Sequence, residues 1–236
     1  VATGWETQLT IAVDDAISRT TILELCEAFY APSPPTRLRI RTEVLSGTWE
    51  ALVTGHADLA IGVVTERELP SGLAMKDLGS LDFVFAVAPH HPLAHHAEPI
   101  DDAELVRHRA VAVADSALRL TPMTVNLLPG QDVLTVSSMQ AKIDAQLRGL
   151  GCGFVPEPMA RDHIAAGRLV ARVVQRSRLP ARLGYAWRQS AGGRGGATGR
   201  KSQVGLALRW WLDGLERATT RRALLERHGS RVGSDG

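Results

Sequence analysis

The sequence predicts an α/β fold of two Rossmann-like subdomains joined by two crossing strands. Strand-like and helix-like segments alternate along the chain, which is the pattern of βαβ units. The 236 residues are 44% apolar, enough to bury a substantial core. Several predicted strands end at acidic or hydroxyl residues, at the sheet edge where open α/β sheets bind ligands. We expect residues 8–88 and 188–225 to form subdomain I, residues 89–187 to form subdomain II, and residues 226–236 to be a disordered tail.

The first βαβ unit starts with an apolar strand at residues 8–13, which stops at the acidic pair Asp14-Asp15. Residues 16–30 place apolar side chains at helical spacing. Residues 38–44 alternate apolar and charged side chains, and this period of two predicts a strand.

A second unit follows directly. Ser46-Gly47-Thr48 leads into a helix at residues 49–55, and Gly55 is typical of a helix C-terminus. Residues 58–63 are apolar on both faces, as expected of an interior parallel strand. The first 63 residues therefore predict a complete βαβαβ unit.

The remaining segments predict the second subdomain and the return to the first. Asp101 is expected to cap a short helix, and Gly149 and Gly151 to end the helix that begins at Ser137-Ser138. The chain is expected to cross between subdomains near 85–88 and again near 185–188. The predicted strands are 73–78, 81–88, 109–114, 132–136, 152–155, 169–174 and 183–187, and a closing helix is predicted at 204–225.

Three ordered segments carry a resemblance to a known family. They are EVLSGTWEALVTGHADLAIG at 43–62, FVFAVAPHHPLA at 83–94 and GLGCGFVPEPMA at 149–160. Together they resemble the effector-binding domain of a LysR-type transcriptional regulator, from about residue 8 to about residue 215. The resemblance implies the shape of a type 2 periplasmic binding protein. The family's winged helix-turn-helix and linker helix are not among these residues, so the chain resembles the sensor half without the DNA reader.

The resemblance implies a non-enzymatic sensor that binds a small-molecule effector in the cleft between its lobes and needs no cofactor. It also implies a homodimer or homotetramer that contacts promoter DNA only through the missing reader domain. By analogy with the family, the helices at 17–30 and 138–150 form the dimer interface. The alternative is a solute-binding protein of a transport system, which uses the same fold but requires a secretory leader.

The composition of the chain favours the transcriptional sensor over the solute-binding protein. Cys26 and Cys152 lie far apart in apolar surroundings, which indicates buried thiols in a reducing cytoplasm. The apolar runs are too short to cross a membrane, and no signal peptide is recognisable. We therefore expect a cytoplasmic protein without a membrane partner.

The candidate effector-binding residues lie at strand ends and helix starts of both lobes, where free N–H groups suit polar ligands. The same residues can serve simply as helix caps. The candidates are Asp14, Asp15, Leu45, Ser46, Asp115, Ser116, Arg119, Ser138 and Met139.

The pair Asp14-Asp15 departs from the family pattern. Family members that bind small carboxylates carry a hydroxyl residue at this point, whereas two carboxylates repel an anion. The sequence therefore predicts a neutral, aromatic or cationic inducer, or pairing of one aspartate with a basic residue such as Arg119.

Two other motifs are better explained as surface loops. The histidines of HHPLAHH at 90–96 lack the third and fourth fixed ligands that zinc sites use, so we predict no metal site. The Gly-rich basic segment 192–202 resembles a phosphate-binding loop, but Arg200 interrupts the required Gly-Lys spacing. Its role is not fixed by the sequence.

Overall fold

In a computed structural model, the structure describes residues 4–119, 126–176, 178–189 and 204–229. They form two lobes, each built on a β-sheet with helices packed against it. The strands are β1 (Gln8–Asp14), β2 (Arg37–Glu43), β3 (Leu59–Val64), β4 (Leu73–Leu81), β5 (Phe83–Val87), β6 (Ala110–Val113), β7 (Val133–Val136), β8 (Gly153–Pro156), β9 (Val170–Arg172) and β10 (Ala181–Arg188). The α-helices are α1 (Arg19–Tyr30), α2 (Ser46–Val53), α3 (Asp102–Leu105), α4 (Met139–Leu147), α5 (Glu157–Ala165), α6 (Leu206–Leu215) and α7 (Ala218–Glu226), and Pro92–His95 is a 3₁₀ turn.

Lobe I contains a five-stranded sheet in the order β2-β1-β3-β10-β4. β2, β1 and β3 are parallel, and β10 is antiparallel to both of its neighbours. Ile11 and Ile61 are fully buried at the centre of this sheet and belong to one core cluster with Phe29 of α1 and Trp211 of α6. Because α1, α6 and the sheet share this core, the βαβαβ unit and the C-terminal helices form one body.

Lobe II has the same strand order but a divided sheet. β5 pairs antiparallel with β8 and β9, whereas β6 pairs in parallel with β7. A single parallel bridge between Ala110 and Cys152 joins the two parts. The combined order is therefore β7-β6-β8-β5-β9, which repeats the connectivity of lobe I and confirms the predicted two-lobed architecture.

The observed strand pairing places both crossing points at residues other than those predicted. β4 belongs to the sheet of lobe I and β5 to that of lobe II, so the chain crosses at Asp82 rather than at 85–88. β10 pairs with β3 over Leu183–Trp187, so the chain has returned to lobe I by Ala181 rather than near 188. The subdomain boundaries placed at 88 and 188 are corrected accordingly, because hydrogen bonding assigns each strand to its sheet.

The C-terminal region also differs from the prediction. The closing helix predicted at 204–225 is two helices, α6 and α7, separated at Glu216-Arg217. Residues 226–229, placed in a disordered tail, are fixed to lobe I. The guanidinium of Arg227 forms two hydrogen bonds of 2.6 and 2.8 Å to the carboxylate of Glu24, and its carbonyl accepts from the Ser18 hydroxyl. Residues 230–236 lie outside the described residues.

Lobe II contains a helix that the sequence analysis did not assign, α5. Pro158 occupies its first turn, where the missing N–H of proline costs no hydrogen bond. Within the described residues, no helix has both the length and the apolar character needed to cross a membrane.

Candidate functional site

The two lobes meet through carboxylates that accept hydrogen bonds from backbone N–H groups. Asp15, directly after β1 of lobe I, accepts from the N–H of Met139, the first residue of α4 in lobe II. Ser138 caps the same helix by accepting from the N–H of Ala141 at 3.0 Å. A helix N-terminus carries partial positive charge, so Asp15 binds α4 as a ligand carboxylate would.

A reciprocal contact runs from lobe II to lobe I. Asp115, which follows β6, accepts from the N–H of Ser46 at 3.2 Å, at the first residue of α2. The hydroxyl of the next residue, Ser116, accepts from the Val44 N–H at 2.8 Å and donates to the Glu43 carboxylate at 2.8 Å. Each lobe therefore places one aspartate on a helix N-terminus of the other.

Asp14 lies beneath these contacts within lobe I. Its carboxylate accepts from the N–H groups of Ala16 at 2.9 Å and Leu45 at 3.1 Å. Leu45 has φ of +52°, a left-handed conformation that is uncommon for leucine, and the bond to Asp14 holds it there. Burial raises the pKa of Asp14 to about 7, the negative charges of Asp15 and Asp115 add to the rise, and the two backbone hydrogen bonds oppose it.

Arg119 takes part through its backbone rather than its side chain. Its N–H donates to the carboxylate of Glu50 on α2 at 2.7 Å, and the N–H of Leu118 donates to the same carboxylate at 3.0 Å. The side chain of Arg119 is exposed. The carboxylates of Asp14 and Asp15 are matched by backbone N–H groups rather than by the pairing with Arg119 that the sequence suggested.

A cavity of about 630 Å³ lies between the lobes beside these contacts. Lobe I contributes Asp14, Asp15 and the start of α1, and lobe II contributes Gln140 of α4 together with α5. The wall from α5 was not predicted, because that helix was not assigned from the sequence. The cavity is lined by Met159, Asp162 and His163 of α5, by Arg168 after that helix and by His228 after α7.

The nine predicted site residues lie at or next to the junction of the lobes and take part in it in different ways. Asp14 and Asp15 line the cavity. Leu45, Ser46, Asp115, Ser116, Arg119 and Met139 take part in the hydrogen bonds described above, and Ser138 caps α4. The hydroxyl of Ser46 is buried and has no hydrogen-bond partner among the described residues.

The histidines, the cysteines and the Gly-rich segment singled out in the sequence do not belong to the junction described above or lie outside the described residues. Within the described residues, no group of three or more histidine, cysteine or acidic side chains is arranged to hold a metal ion. His91 instead accepts from the Leu93 N–H at 3.1 Å and starts the 3₁₀ turn. Cys26 and Cys152 are free thiols. The Gly-rich segment 192–202 lies outside the described residues.

Two lobes of identical strand order, joined by two crossings and with a cavity between them, define a fold of the type 2 periplasmic-binding-protein class. The sequence matches the LysR substrate binding domain over residues 2–195, and the chain therefore belongs to that family. The matched relatives are transcriptional regulators, not enzymes.

A relative with a similar sequence agrees with this assignment. The HTH-type transcriptional regulator YeeY of Escherichia coli (strain K12) is 36% identical over 210 residues, covering 89% of this chain and 64% of that protein. The chain thus spans slightly less than two thirds of the length of this relative.

Solved structures share the fold. The regulatory domain of the LysR family regulator MetR from N. meningitidis is 19% identical, with a TM-score of 0.64 and coverage of 94% of this chain and 97% of that one. The effector-binding domain of QuiR in complex with shikimate is 13% identical, with a TM-score of 0.61 and coverage of 94% and 99%.

Proposed function

We propose that this chain is the effector-sensing domain of a transcriptional regulator and that its effector binds between the lobes, in the cavity beside Asp14 and Asp15. The observation that carries the proposal is the 630 Å³ cavity, which has the volume of a small-molecule site and is lined by both lobes. The buried, unpartnered hydroxyl of Ser46 adds a hydrogen-bonding group at the same junction.

The polarity of the effector follows from the contacts at the junction. The N–H groups of Met139 and Ser46, which could bind a carboxylate, already receive Asp15 and Asp115. An anion at these positions would have to displace a protein carboxylate and would meet the charge of its neighbours. We therefore propose that the group facing Asp14 and Asp15 is neutral or cationic.

The signal is a change in the relative placement of the lobes. A ligand shifts such an equilibrium only by the difference between its affinities for the two arrangements. The hydrogen bonds of Asp15, Asp115 and Ser116 exist only while the lobes are together, so an effector that competes with them or reinforces them changes the balance.

The sensor acts on DNA through the assembly of the full-length regulator. We propose a homodimer or homotetramer of a cytoplasmic regulator whose separate reader domain contacts the promoter. The exposed side chains of Leu23 and Tyr30 on α1, at 55% and 45% exposure, and of Leu150 after α4, at 44%, are consistent with a dimer interface on these helices.

Isothermal titration calorimetry with matched benzoates and benzylamines tests the proposal. We expect the amines and neutral analogues to bind more tightly than benzoate, and Asp15→Asn to weaken the amines selectively. The surface variant Asp77→Asn is the control, because Asp77 lies on β4 in an exposed pair with Arg182. Tight binding of simple carboxylates alone would reject the proposed polarity.

A further inference from the structure

The sheet of lobe II has an opening between β6 and β8. The strands are joined by the bridge between Ala110 and Cys152 and separate after it. Gly153 follows this bridge, and a Cβ at that position would lie 3.4 Å from the carbonyl oxygen of Val111. The absence of a side chain at Gly153 therefore leaves room beside the strands for the side chain of Lys142.

The ammonium group of Lys142 enters this space. Its Nζ lies 3.2 Å from the position that a Cβ of Gly153 would occupy. Lys142 belongs to α4, whose N-terminus receives Asp15 from lobe I. Burial, and then repulsion by Arg178, lower the pKa of Lys142 to about 8, as expected of a lysine without a counter-charge.

The second cation is Arg178, which lies against an aromatic surface. Its guanidinium carbon is 3.4 Å from the ring centroid of Phe83 and 5.8 Å from that of Phe154. Stacking on these rings fixes the guanidinium and leaves its N–H groups available to an acceptor. Burial lowers the pKa of Arg178 to about 10.

These two cations have no anionic partner within the part of the chain that the structure describes. The electrostatic neighbours of Lys142 are Arg178 and the thiol of Cys152, and burial raises the pKa of that thiol to about 12, so it is neutral. By contrast, Arg176, close to Arg178 in sequence, is matched by Asp102 at 2.8 Å. Two partly buried cations that repel each other are costly without a counter-charge, and a bound anion would stabilise both.

We propose that Lys142 and Arg178 bind a carboxylate group of the effector, so that the effector carries this anionic group in addition to the neutral or cationic group that faces Asp14 and Asp15. This inference rests on the proposed sensor function and specifies its ligand. Met139, bound by Asp15, precedes Lys142 by three residues, which is about 4.5 Å along the helix axis. Lys142 therefore lies within one helical turn of the residue that receives Asp15.

The test is an NMR titration of the ¹⁵N-labelled protein with formate, acetate and inorganic phosphate at constant ionic strength. We expect the amide signals of Lys142 and Gly153 to shift and saturate with the carboxylates, and Lys142→Met to weaken this binding by about tenfold or more, since a charge-assisted hydrogen bond is lost. Lys76→Met is the control, because Lys76 is an exposed lysine of lobe I paired with Glu216. Arg178→Leu provides a second variant that should weaken the same titration.

Three results would overturn the proposal: signals that do not move, shifts that persist unchanged in Lys142→Met, or tighter binding of phosphate than of carboxylates. The titration measures anion binding at Lys142 and Gly153 directly. Its failure would overturn the anion subsite alone, because the calorimetric test measures the polarity of the separate group that faces Asp14 and Asp15.

Discussion

A Cβ atom at Gly47 of α2 would lie 1.8 Å from the hydroxyl oxygen of Ser116 in the other lobe. No side chain other than hydrogen fits at this position while the lobes are together. Ser116 simultaneously bonds Val44 and Glu43, so it has no freedom to withdraw without losing inter-lobe hydrogen bonds. The contact between Gly47 and Ser116 therefore reports directly on whether the lobes are closed.

Gly47→Ala should separate the lobes. The added methyl group cannot be accommodated at 1.8 Å, so the hydrogen bonds from Ser116 to lobe I must break. We expect a larger radius of gyration by small-angle X-ray scattering and faster amide exchange at Val44 and Ser116.

Gly214→Ala is the matched control for this change. Gly214 lies in α6, and a Cβ there would contact nothing within 4 Å, so lobe separation should not change. A Gly47→Ala protein with the wild-type radius of gyration would contradict the closed arrangement of the lobes.

Asp15→Ala should weaken the junction from the opposite side. The N–H of Met139 loses its carboxylate acceptor and α4 loses a favourable charge at its N-terminus. Caps of this kind contribute about 1 kcal/mol, and we expect a loss of that order in the free energy of unfolding. Urea denaturation measures it.

Asp77→Ala serves as the comparison for Asp15→Ala. Its carboxylate forms an exposed pair with Arg182, and such pairs contribute about 0–1 kcal/mol. Equal losses from the two substitutions would show that Asp15 has no special role at α4.

The pKa of Asp14 predicts a pH dependence of stability. Its folded value of about 7 lies above the ordinary value of 3.8, so the unfolded chain releases this proton first as the pH rises. The contribution of Asp14 to stability is therefore fully present below about pH 4, declines between pH 4 and 7, and is constant above. The difference in unfolding free energy between wild type and Asp14→Asn should fall over this window, as measured by denaturation at each pH.

Asp58→Asn separates this effect from the loss of a hydrogen bond. The carboxylate of Asp58 accepts from the Thr10 N–H at 2.8 Å in the same lobe, so it has comparable hydrogen bonding. If the Asp14→Asn difference were independent of pH, Asp14 would not be the titrating group.

Leu23→Lys should weaken self-association. Leu23 is 55% exposed on α1, the helix proposed to form the dimer interface, and a charge there would be buried on association. Sedimentation velocity should show a larger monomer fraction. Leu118→Lys is the control, because Leu118 is 92% exposed in a loop of lobe II, and a dimer equally stable in Leu23→Lys would exclude this surface.

Local sequence patterns predicted most of the strands and helices. The alternation at residues 38–44 and the apolar run at 58–63 correspond to β2 and β3, and Asp101 caps α3 as expected, accepting from the Glu104 N–H at 2.8 Å. These elements depend on side-chain periodicity and capping, both of which act over a few residues.

The errors occurred where long-range contacts override local signals. The helix predicted at 204–225 is interrupted, and α7 then packs along α1: the hydroxyl of Thr21 donates to the Ala223 carbonyl at 3.1 Å, and the Ser18 N–H donates to the Leu224 carbonyl at 2.8 Å. The same contacts order residues 226–229. Nothing in the local sequence encodes partners about 200 residues away.

The sequence by itself determined the alternating strands and helices and the polar residues at strand ends and helix starts, because strand periodicity and helix-start chemistry are local properties. The family came from the resemblance of three ordered segments at 43–62, 83–94 and 149–160. Only the tertiary structure decided how the polar residues are used. It placed Asp15 on the N-terminus of α4 and Asp115 on that of α2, brought α5 into the cavity wall, and buried Lys142 within range of repulsion by Arg178. These relationships depend on how two sheets approach each other, and burial of the charges then sets their electrostatics.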